Sequence, residues 1–366
     1  MSHITAEDRA AMRESFHRLL NEASNEQAVR RIIKSETAFD KDLWKQLAEL
    51  GLLGILVDPE HGGLGGGALE INDLMEEVGA HLMCGPFLTS AVLSSVLLGN
   101  STDEDKKSSL LPALASGEII ATAALTGETG NWAPEDVTVF SNGNTLNGSA
   151  HYVLHCELAD VIFVAAQSDT GLKLFKVNPS TDGMTKTPMN TYDLTLSFST
   201  LTFTDAEAEP VEGVDKQGFV NAIELARIAL AGEQAGGSKH VFDMTLDYIK
   251  NRFQFGRAIG GFQAVKHMAA DLYIEVESAL TASRQAAAAF ASNAADKDIL
   301  LNLAAWTCAD TFTRATHDTI QLHGGIAFTW DHPAHLYFRR AKADAFLLGA
   351  PDYFRERYLT AQEAIR

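Results

Sequence analysis

The stretch Asn-Arg-Phe-Gln-Phe-Gly-Arg-Ala-Ile-Gly-Gly-Phe-Gln, residues 251–263, ends one helical pattern and opens the next. Arg252 and Arg257 supply positive charge, and Gln254 and Gln263 supply side-chain hydrogen bonds. The glycines of this stretch allow the backbone to approach a ligand closely, because glycine has no Cβ. Arginine presents a fork of donors that suits phosphate oxygens. We therefore predict that these residues, which we call the first motif, bind a diphosphate.

A second glycine-containing stretch is Gln-Leu-His-Gly-Gly-Ile-Ala-Phe-Thr-Trp-Asp-His-Pro, residues 321–333. We call it the second motif. Its pair Gly324-Gly325 follows a helical pattern and has two interpretations. The pair is either a helix C-cap and nothing more, because glycine commonly ends helices, or part of a ligand site. The local pattern alone leaves both interpretations open.

The residue patterns divide the chain into three regions. Residues 1–118 and 213–366 show helical periodicity, whereas residues 119–212 are rich in Thr, Val and Phe in short runs. Because no helical pattern separates these runs, they indicate an antiparallel sandwich or barrel. We predict a mostly α protein with a central β domain. It comprises an N-terminal helical domain, a β-barrel or β-sandwich middle domain and a C-terminal four-helix bundle.

Finer patterns predict individual elements of these regions. Thr5 and Asp8 have the spacing of a capping box, and Gly51 follows a helical pattern as a C-cap. Asn142-Gly143 between two apolar runs is typical of a β-hairpin. Further helices are predicted over Leu69–Leu82, Phe87–Leu98, Ile299–Arg314 and His335–Leu348, and further strands over Val161–Ala166, Leu172–Val177 and Leu194–Phe203.

The overall composition excludes several classes of function. A formal net charge of −19 argues against a nucleic-acid partner, because phosphate binding needs a basic face. Three widely separated cysteines favour a reducing compartment over a disulfide framework. The polar first ten residues lack an apolar signal core, and no apolar run is long enough to span a membrane. We expect a cytoplasmic protein.

Two local patterns suggest sites that their context does not support. Residues 63–68 satisfy the loose GxGxxA dinucleotide pattern, but residues 69–98 look helical where a Rossmann unit needs a second strand. A loop between helices is therefore favoured. His323, His332 and His335 lie close together in sequence, but Pro333 interrupts the helix that would align them as metal ligands. We expect no metal site there.

Both motifs resemble the two most recognisable C-terminal motifs of the acyl-CoA dehydrogenases. The similarity continues through Ala264–Asp271 after the first motif and Ala334–Asp344 after the second. The order of the three predicted regions also matches the family, so the resemblance covers nearly the whole chain. It implies FAD as the cofactor, an acyl-CoA thioester as the substrate and electron-transfer flavoprotein as the electron acceptor.

The resemblance also implies which residues contact the cofactor. In the family, the Arg and the later Gln of the first motif contact FAD, usually the FAD of a neighbouring subunit. The Gln and Gly-Gly of the second motif line the adenosine end. Because FAD then lies between subunits, an obligate oligomer is implied. By this resemblance, the residues expected to contact FAD are Arg252, Phe255 and Gln263 in the first motif and Gln321, Gly324 and Gly325 in the second.

The catalytic base of the family is missing from both of its usual positions. A base must reach the substrate's α-proton directly. The family places a Glu either near the end of the chain or just before an Arg early in the bundle. Leu348 and Ala226 occupy these positions, and neither side chain accepts a proton. Glu224 and Asp331 remain as replacement candidates, so the catalytic residue stays open.

The stretches that face a subunit's own flavin depart from the family as well. The family's Thr-Glu-Pro-x-x-Gly-Ser-Asp loop corresponds to the degenerate residues 125–132, and its Trp-Ile-Thr becomes Tyr152-Val153-Leu154. The groups offered to a neighbour's flavin are intact. This asymmetry, with the phrases at 231–237 and 328–332, resembles bacterial α2β2 heterotetramers that act on steroid side-chain CoA esters and hold one FAD site per heterodimer.

Three hypotheses follow from this resemblance. The leading one is a base-less subunit that needs a paralogous partner, and the second is a self-sufficient homotetramer with a relocated base. The third is a scaffold without enzymatic function. The retained Arg252, Gln263 and Gln321 argue against the scaffold, because partner binding alone does not require a phosphate site.

Overall fold

The computed structural model describes residues 4–365, so Met1–His3 of the first predicted region lie outside the described residues. The chain runs from helices through a sheet to helices, in the predicted order. Six helices precede the sheet: α1 (Ala6–Ala23), α2 (Glu26–Ile32), α3 (Lys41–Glu49), α4 (Ala68–Ala80), α5 (Ser95–Gly99) and α6 (Glu104–Ala115).

The N-terminal helices begin and end largely as their sequences predict. The Thr5 hydroxyl oxygen accepts from the Asp8 amide at 3.1 Å, and the Asp8 carboxylate accepts from the Thr5 amide at 3.3 Å, which confirms the capping box. After α3, Gly51 has the left-handed φ of 73° that favours glycine. The helix predicted over Phe87–Leu98 is π-helical from Phe87 to Ser94 and continues as α5.

The glycine-rich loop at residues 62–67 connects a 3-10 turn to α4, and no strand precedes it among the described residues. The Gly63 Cβ would lie 2.1 Å from the Val57 carbonyl oxygen, so this glycine is required by packing inside the loop. The Rossmann interpretation of this stretch therefore lacks its strand, and the loop before a helix is confirmed.

Eight strands form one sheet in the order β6-β7-β3-β2-β4-β5-β8, with β1 on β4. The predicted hairpin is present, with Asn142 of β2 opposite Thr145 of β3. Most pairs are antiparallel as expected, but β1 and β2 each pair with β4 in parallel, which the sequence did not indicate. The strands are β1 (Ala121–Ala124), β2 (Val139–Asn142), β3 (Thr145–Leu154), β4 (Val161–Ser168), β5 (Gly171–Val177), β6 (Met184–Pro188), β7 (Phe198–Glu207) and β8 (Glu209–Val211).

The strand predicted over Leu194–Phe203 begins only at Phe198. The Asp193 carboxylate accepts from the Thr195 amide at 2.9 Å and from the Thr195 hydroxyl at 2.7 Å. Such local side-chain bonds offer the backbone an alternative to a sheet ladder. Asp193 and Thr195 are also buried, because both bind Arg340 in the interior.

Five helices form the C-terminal region, and α9 contacts α7, α8, α10 and α11. A two-stranded hairpin, β9 (Phe253–Gln254) and β10 (Arg257–Ala258), separates α7 from α8. The predicted segments Ile299–Arg314 and His335–Leu348 fall within or overlap α9 and α10. The helices are α7 (Lys216–Asn251), α8 (Gln263–Ala291), α9 (Lys297–His323), α10 (Ala334–Asp344) and α11 (Pro351–Ile365).

Helices α4 and α7 pack at backbone contact. A Cβ on Gly79 would lie 1.9 Å from the Glu233 carbonyl oxygen, and one on Gly236 would lie 1.9 Å from that of Glu76. No side chain larger than hydrogen fits at either position without moving a helix. This contact fixes the N-terminal helices against the bundle. The domain boundaries at 118 and 212 remain predictions from the sequence.

None of the described helices has both the length and the apolar run needed to cross a membrane.

Candidate functional site

The first motif forms a short hairpin that projects from the end of α7. The Arg252 amide donates to the Tyr248 carbonyl at 2.8 Å, which closes the helix, and the Ile259 amide donates to the Arg252 carbonyl at 2.8 Å. Phe255 and Gly256 turn the chain with φ values of 53° and 79°. Left-handed backbone at both central residues is the geometry of a two-residue hairpin turn. Gly256 therefore serves the turn.

The side chains of the first motif are directed away from the core. Phe255 is 91% exposed, and Arg252 and Gln263 are exposed as well. The Arg257 guanidinium lies 4.0 Å from the Phe262 ring centre, which orients it by a cation–π contact. Within residues 4–365, neither Arg252 nor Arg257 forms an ion pair. The motif therefore presents two unneutralised cations to its surroundings.

The second motif follows the end of α9. Gly324 has φ 67° and ψ −148°, and residues Gly324–Phe328 continue as a 3-10 segment. Gly325 does not have a left-handed φ, and no atom lies within 4 Å of a Cβ built on it. Neither a turn nor packing inside this chain requires glycine at 325. A molecule outside the chain that approaches the backbone closely would require it.

The structure brings the two motifs together. The Tyr248 ring, one turn before Arg252, stacks on His323 with ring centres 4.2 Å apart. The Tyr248 hydroxyl donates to the His323 carbonyl at 3.3 Å. His323 directly precedes Gly324, so Tyr248 joins the residues predicted to hold the diphosphate to those predicted at the adenosine end. Neither Tyr248 nor His323 was among the predicted site residues, because their ring contact joins two separate helices.

The joined motifs suit an anionic dinucleotide. They combine unpaired arginines, exposed glutamines and a glycine pair with open space above it, which is the donor set for phosphate oxygens and a close backbone approach. Large exposed apolar side chains surround these polar groups. They are Phe253 (65% exposed), Ile326 (45%), Phe328 (78%) and Trp330 (55%). The residues present therefore fit FAD, with an apolar rim that a second subunit can cover.

Both positions of the family's catalytic base lie in the apolar core. Ala226 is fully buried and Leu348 is 1% exposed, and both belong to the largest hydrophobic cluster of the described chain. Leu348 has a left-handed φ of 61°, which is uncommon for a branched side chain. Its backbone carbonyl accepts from Arg227 at 3.0 Å, so this conformation orients an acceptor rather than a catalytic side chain.

Arg227 is buried without a carboxylate partner among the described residues. Its guanidinium donates to the carbonyls of Leu348 at 3.0 Å and Asn131 at 2.9 Å, and it lies 5.0 Å from the Phe354 ring centre. Burial lowers the pKa of Arg227 to about 10. Backbone carbonyls and aromatic rings, rather than a carboxylate, therefore surround this buried cation.

A buried ion cluster, which we call the Arg340 cluster, consists of Arg340, Asp193, Glu233 and Asp344. Arg340 binds the Asp193 carboxylate at 3.2 Å, the Met83 carbonyl at 3.1 Å and Glu233 at close range, and every member is at most 3% exposed. Burial alone lowers the pKa of Arg340, but the carboxylates of Glu233 and Asp193 outweigh it and raise that pKa.

Asp344 is the uncompensated member of the Arg340 cluster. Neither carboxylate oxygen has a hydrogen-bond partner among the described residues. Burial, followed by the charge of Glu233, raises the pKa of Asp344 well above its ordinary value. Three carboxylates surround a single guanidinium, so the neutral form of Asp344 is favoured more strongly than in an exposed carboxyl group.

The cavities beside this cluster are small. One of about 20 Å³ is lined by His155, Glu233, Arg340 and Asp344, and another of about 10 Å³ is lined in part by Arg227 and Asp344. Volumes of this size hold at most one or two water molecules. Burial lowers the pKa of His155 to about 3, so this imidazole is neutral and adds no charge to the cluster.

The two replacement candidates for the base differ in their surroundings. Glu224 is 8% exposed, and burial raises its pKa, while its charged neighbours include Lys297 and Asp298 at the start of α9. Asp331 is exposed in the turn before α10. Neither residue lines the two small cavities beside Leu347.

The degenerate β-domain loop folds back into the core. Trp132 is 2% exposed with a φ of 56°, and Tyr152 has a φ of 54°. The Tyr152 hydroxyl donates to the Glu128 carbonyl at 3.1 Å, and its ring lies 3.2 Å from a Cβ built on Gly130. The Tyr152 side chain is therefore held against the backbone of this loop, while Trp132 is buried in the core.

The histidines of the second motif are engaged within the chain. His323 Nδ1 donates to the Thr319 carbonyl at 2.8 Å, and His332 Nδ1 accepts from the Ala334 amide at 3.2 Å. The rings of His323 and His332 lie 4.6 Å apart. These bonds orient the rings, and the metal interpretation of this stretch receives no support from them.

Two family models match the chain. The acyl-CoA dehydrogenase N-terminal domain matches residues 6–118, and the acyl-CoA dehydrogenase C-terminal domain matches residues 217–360.

Individual proteins are similar over nearly the whole length. Acyl-CoA dehydrogenase IpdE2 of Mycolicibacterium smegmatis is 31% identical over 94% of this chain and 96% of its own. The ChsE4-ChsE5 complex from Mycobacterium tuberculosis contains a chain with a TM-score of 0.90 and 29% identity, with all of both chains covered. A Tcur3481-Tcur3483 steroid ACAD variant has a TM-score of 0.89 and 28% identity over 98% of this chain and 99% of that chain.

Proposed function

This chain belongs to the acyl-CoA dehydrogenase family, and we propose that it is the base-less subunit of a heteromeric, FAD-dependent enzyme of that family. In this proposal a paralogous subunit carries the catalytic carboxylate and the ring-facing groups. The present chain contributes the diphosphate and adenosine contacts for the FAD of that partner.

The observation that carries the proposal is the contrast at the two base positions. Leu348 and Ala226 are buried in apolar surroundings, where neither side chain accepts a proton. The cavities beside Leu347 have volumes of about 10 and 20 Å³. Ligand sites for cofactors and acyl groups need several hundred Å³. The surroundings of the two base positions therefore support neither proton abstraction nor substrate binding.

The residues of the two motifs suit the role of holding FAD. Arg252 would neutralise the diphosphate with its planar fork, and Gln263 and Gln321 would accept and donate hydrogen bonds beside it. Gly324 and Gly325, which have open space above their backbone, would admit the adenosine end, and the exposed Phe255 would cover an apolar edge of the cofactor. Bound FAD supplies hydride-accepting chemistry, whereas the protein supplies binding and orientation.

The relatives support a heteromer with a bulky substrate. The ChsE4-ChsE5 relative is a complex of two different proteins, and the Tcur3481-Tcur3483 relative is described as a steroid ACAD. We therefore propose an α2β2 assembly that desaturates a steroid side-chain CoA thioester between the α and β carbons. Electron-transfer flavoprotein is the proposed acceptor for the electrons that leave the flavin.

Native mass spectrometry tests the proposal. The chain is purified alone and together with a paralogous subunit encoded nearby, and chains and flavins are counted in each assembly. We expect two copies of each subunit with two FAD molecules in the complex, and turnover only in the complex. Full FAD occupancy and turnover by the lone chain would show that it is self-sufficient.

The alternatives give different results in the same preparation. A relocated base predicts that Glu224→Gln or Asp331→Asn abolishes anaerobic flavin bleaching by substrate, whereas the base-less role predicts unchanged bleaching in the complex. A scaffold predicts no flavin absorbance in any assembly. The exposed, unpaired Arg252 favours flavin retention over this last outcome.

A further inference from the structure

A cavity of about 700 Å³ lies between the N-terminal helices and the bundle, with walls from α1, α2, α4, α7, α8 and α10. Three histidines line it: His17 from α1, His81 just after α4, and His240 from α7. Nothing in the proposed handling of FAD or acyl-CoA uses these side chains. The cavity is large enough to admit water and small solutes to its wall.

Hydrogen bonds fix the tautomers of two of these histidines. His81 Nδ1 lies 2.9 Å from the Glu77 backbone carbonyl, and His17 Nδ1 lies 2.7 Å from the Glu77 carboxylate. Carbonyl and carboxylate oxygens accept hydrogen bonds, so both Nδ1 atoms carry the proton. In neutral imidazoles, both Nε2 atoms then present lone pairs.

Both Nε2 atoms meet one amide, that of Asn21. Asn21 Nδ2 lies 2.7 Å from His17 Nε2, and Asn21 Oδ1 lies 3.1 Å from His81 Nε2. The amide nitrogen donates, but the amide oxygen faces a lone pair. Rotating the amide by half a turn only transfers this mismatch to the other histidine. In either orientation of the amide, two lone pairs therefore face each other, and a positively charged species between them would remove the mismatch.

We propose that His17, His81 and Asn21 bind a divalent transition-metal ion of the zinc class. The two Nε2 lone pairs and the amide oxygen supply three ligand atoms once the amide oxygen turns towards the ion, and imidazole nitrogen suits such metals. Glu77 holds both rings by their Nδ1 protons, which is how carboxylates and carbonyls orient metal-binding histidines. A water molecule from the cavity completes the coordination.

The surrounding charges are compatible with an added dication. Arg13 Nε donates to Glu77 at 2.9 Å, and Glu76 binds Arg13 and Arg284, so the cations nearby are already paired. Burial lowers the pKa of His81 and lowers that of His240 to about 4. These two imidazoles are neutral at pH 7, so neither repels the ion by a charge of its own.

The ion would join α1 to α4. His17 and Asn21 lie one turn apart on α1, and His81 and Glu77 lie one turn apart at the end of α4. Metal binding to the folded state alone raises the stability of that state. The site thus ties the first helix to the helix that contacts the bundle through Gly79.

Metal titration of the full chain tests the inference. Chain treated with a chelator and then dialysed is titrated with Zn²⁺ alone by calorimetry, and Co²⁺ is followed by its visible absorption. We expect one ion per chain, a raised melting temperature, and affinity reduced about 10–100-fold or more in His17→Gln and in His81→Gln. His317→Gln, on the exposed surface of α9, is the matched control and should bind Zn²⁺ unchanged.

Asn21→Asp supplies a second variant in case a histidine replacement fails to fold, and its added carboxylate should tighten Zn²⁺ binding. Two results would overturn the proposal: no Zn²⁺ bound above the level of His17→Gln, or equal binding in every variant. In either case the ring resonances of His17 should not respond to added Zn²⁺.

Discussion

The surroundings of Leu348 and the surface of the two motifs differ in how far this chain's own residues fill them. Around Leu348 and the Arg340 cluster, the chain fills its own interior, and the cavities that remain hold only water. At the two motifs, glycines, large aromatic rings and two arginines that form no ion pair among the described residues are exposed. This part of the interior is filled by the chain's own side chains, whereas the surface of the two motifs is left open to another molecule.

The contrast indicates which function each part retains. A buried ion cluster is costly to assemble, because each charge must leave water. Its members line cavities of only about 10 and 20 Å³ beside Leu347, so this part of the interior has no room for a ligand. Exposed aromatic side chains beside unpaired arginines are instead typical of a surface that another molecule covers.

The largest expected effect is on the closed interior. Arg340→Ala removes the only cation of the Arg340 cluster and leaves Asp193 and Glu233 as buried, uncompensated carboxylates. We expect the free energy of unfolding to fall by about 3–5 kcal/mol in urea denaturation. Arg31→Ala, which removes a cation that is 71% exposed, is the control and should cost at most about 1 kcal/mol. Equal losses in both variants would contradict a closed ionic interior.

Leu348→Glu tests whether a carboxylate at this position can act as a catalytic base. The carboxyl would be placed in an apolar, 1% exposed position, so we expect a loss of about 2–4 kcal/mol in the free energy of unfolding. We also expect no turnover by the lone chain, because the cavities beside Leu347 admit no acyl group. Turnover by the purified variant would show that the interior still opens to substrate.

Arg252→Ala tests the open surface. It should weaken FAD retention by the assembled complex by about 1.5–3 kcal/mol, the range for hydrogen bonds to charged groups. Because Arg252 is exposed, the lone chain's free energy of unfolding should change by less than about 0.5 kcal/mol. Lys250→Ala, an exposed cation at the end of α7, should leave retention unaltered. FAD release assayed by fluorescence separates the two variants.

The smallest expected effect is a pH dependence of the interior. The folded-state pKa of Asp344 is raised, so folded protein keeps a proton that unfolded protein releases above about pH 4. The contribution of this proton to the free energy of unfolding is fully present below about pH 4 and is lost as the pH rises towards the folded-state pKa. Asp344→Asn should therefore gain stability relative to the natural chain between about pH 4 and neutrality. Asp352→Asn, at a 93% exposed residue, should give no such trend in parallel melts.

Much of the fold follows from local sequence. The capping box at Thr5, the hairpin at Asn142-Gly143 and the helix predicted over Ile299–Arg314 each depend on residues a few positions apart, and the structure confirms all three. The parallel pairing of β1 with β4 joins residues 40 positions apart, such as Ala121 and Val161. Such a pairing depends on chain topology, which no short pattern encodes.

The candidate site shows the same limit. The exposed residues of both motifs were predicted from charge, glycine content and resemblance, and their roles in binding FAD stay predictions. The contact between Tyr248 and His323, which joins the motifs, was not foreseen. The Arg340 cluster was not foreseen either, because Arg340 and Asp193 lie 147 positions apart and each looks like a surface charge in isolation. Arg340 and Asp193 form a buried ion pair only because the complete fold brings them together in the interior.

The hairpin tip at Phe255 has a consequence for how the cell must make this protein. The Phe255 ring is 91% exposed, and Phe328 and Trp330 are exposed as well. Together they form an apolar surface that can associate non-specifically on any copy without a bound partner. Surplus copies would cluster with one another through it. In the proposed heteromer, synthesis of the two polypeptides in matched amounts would keep that surplus small.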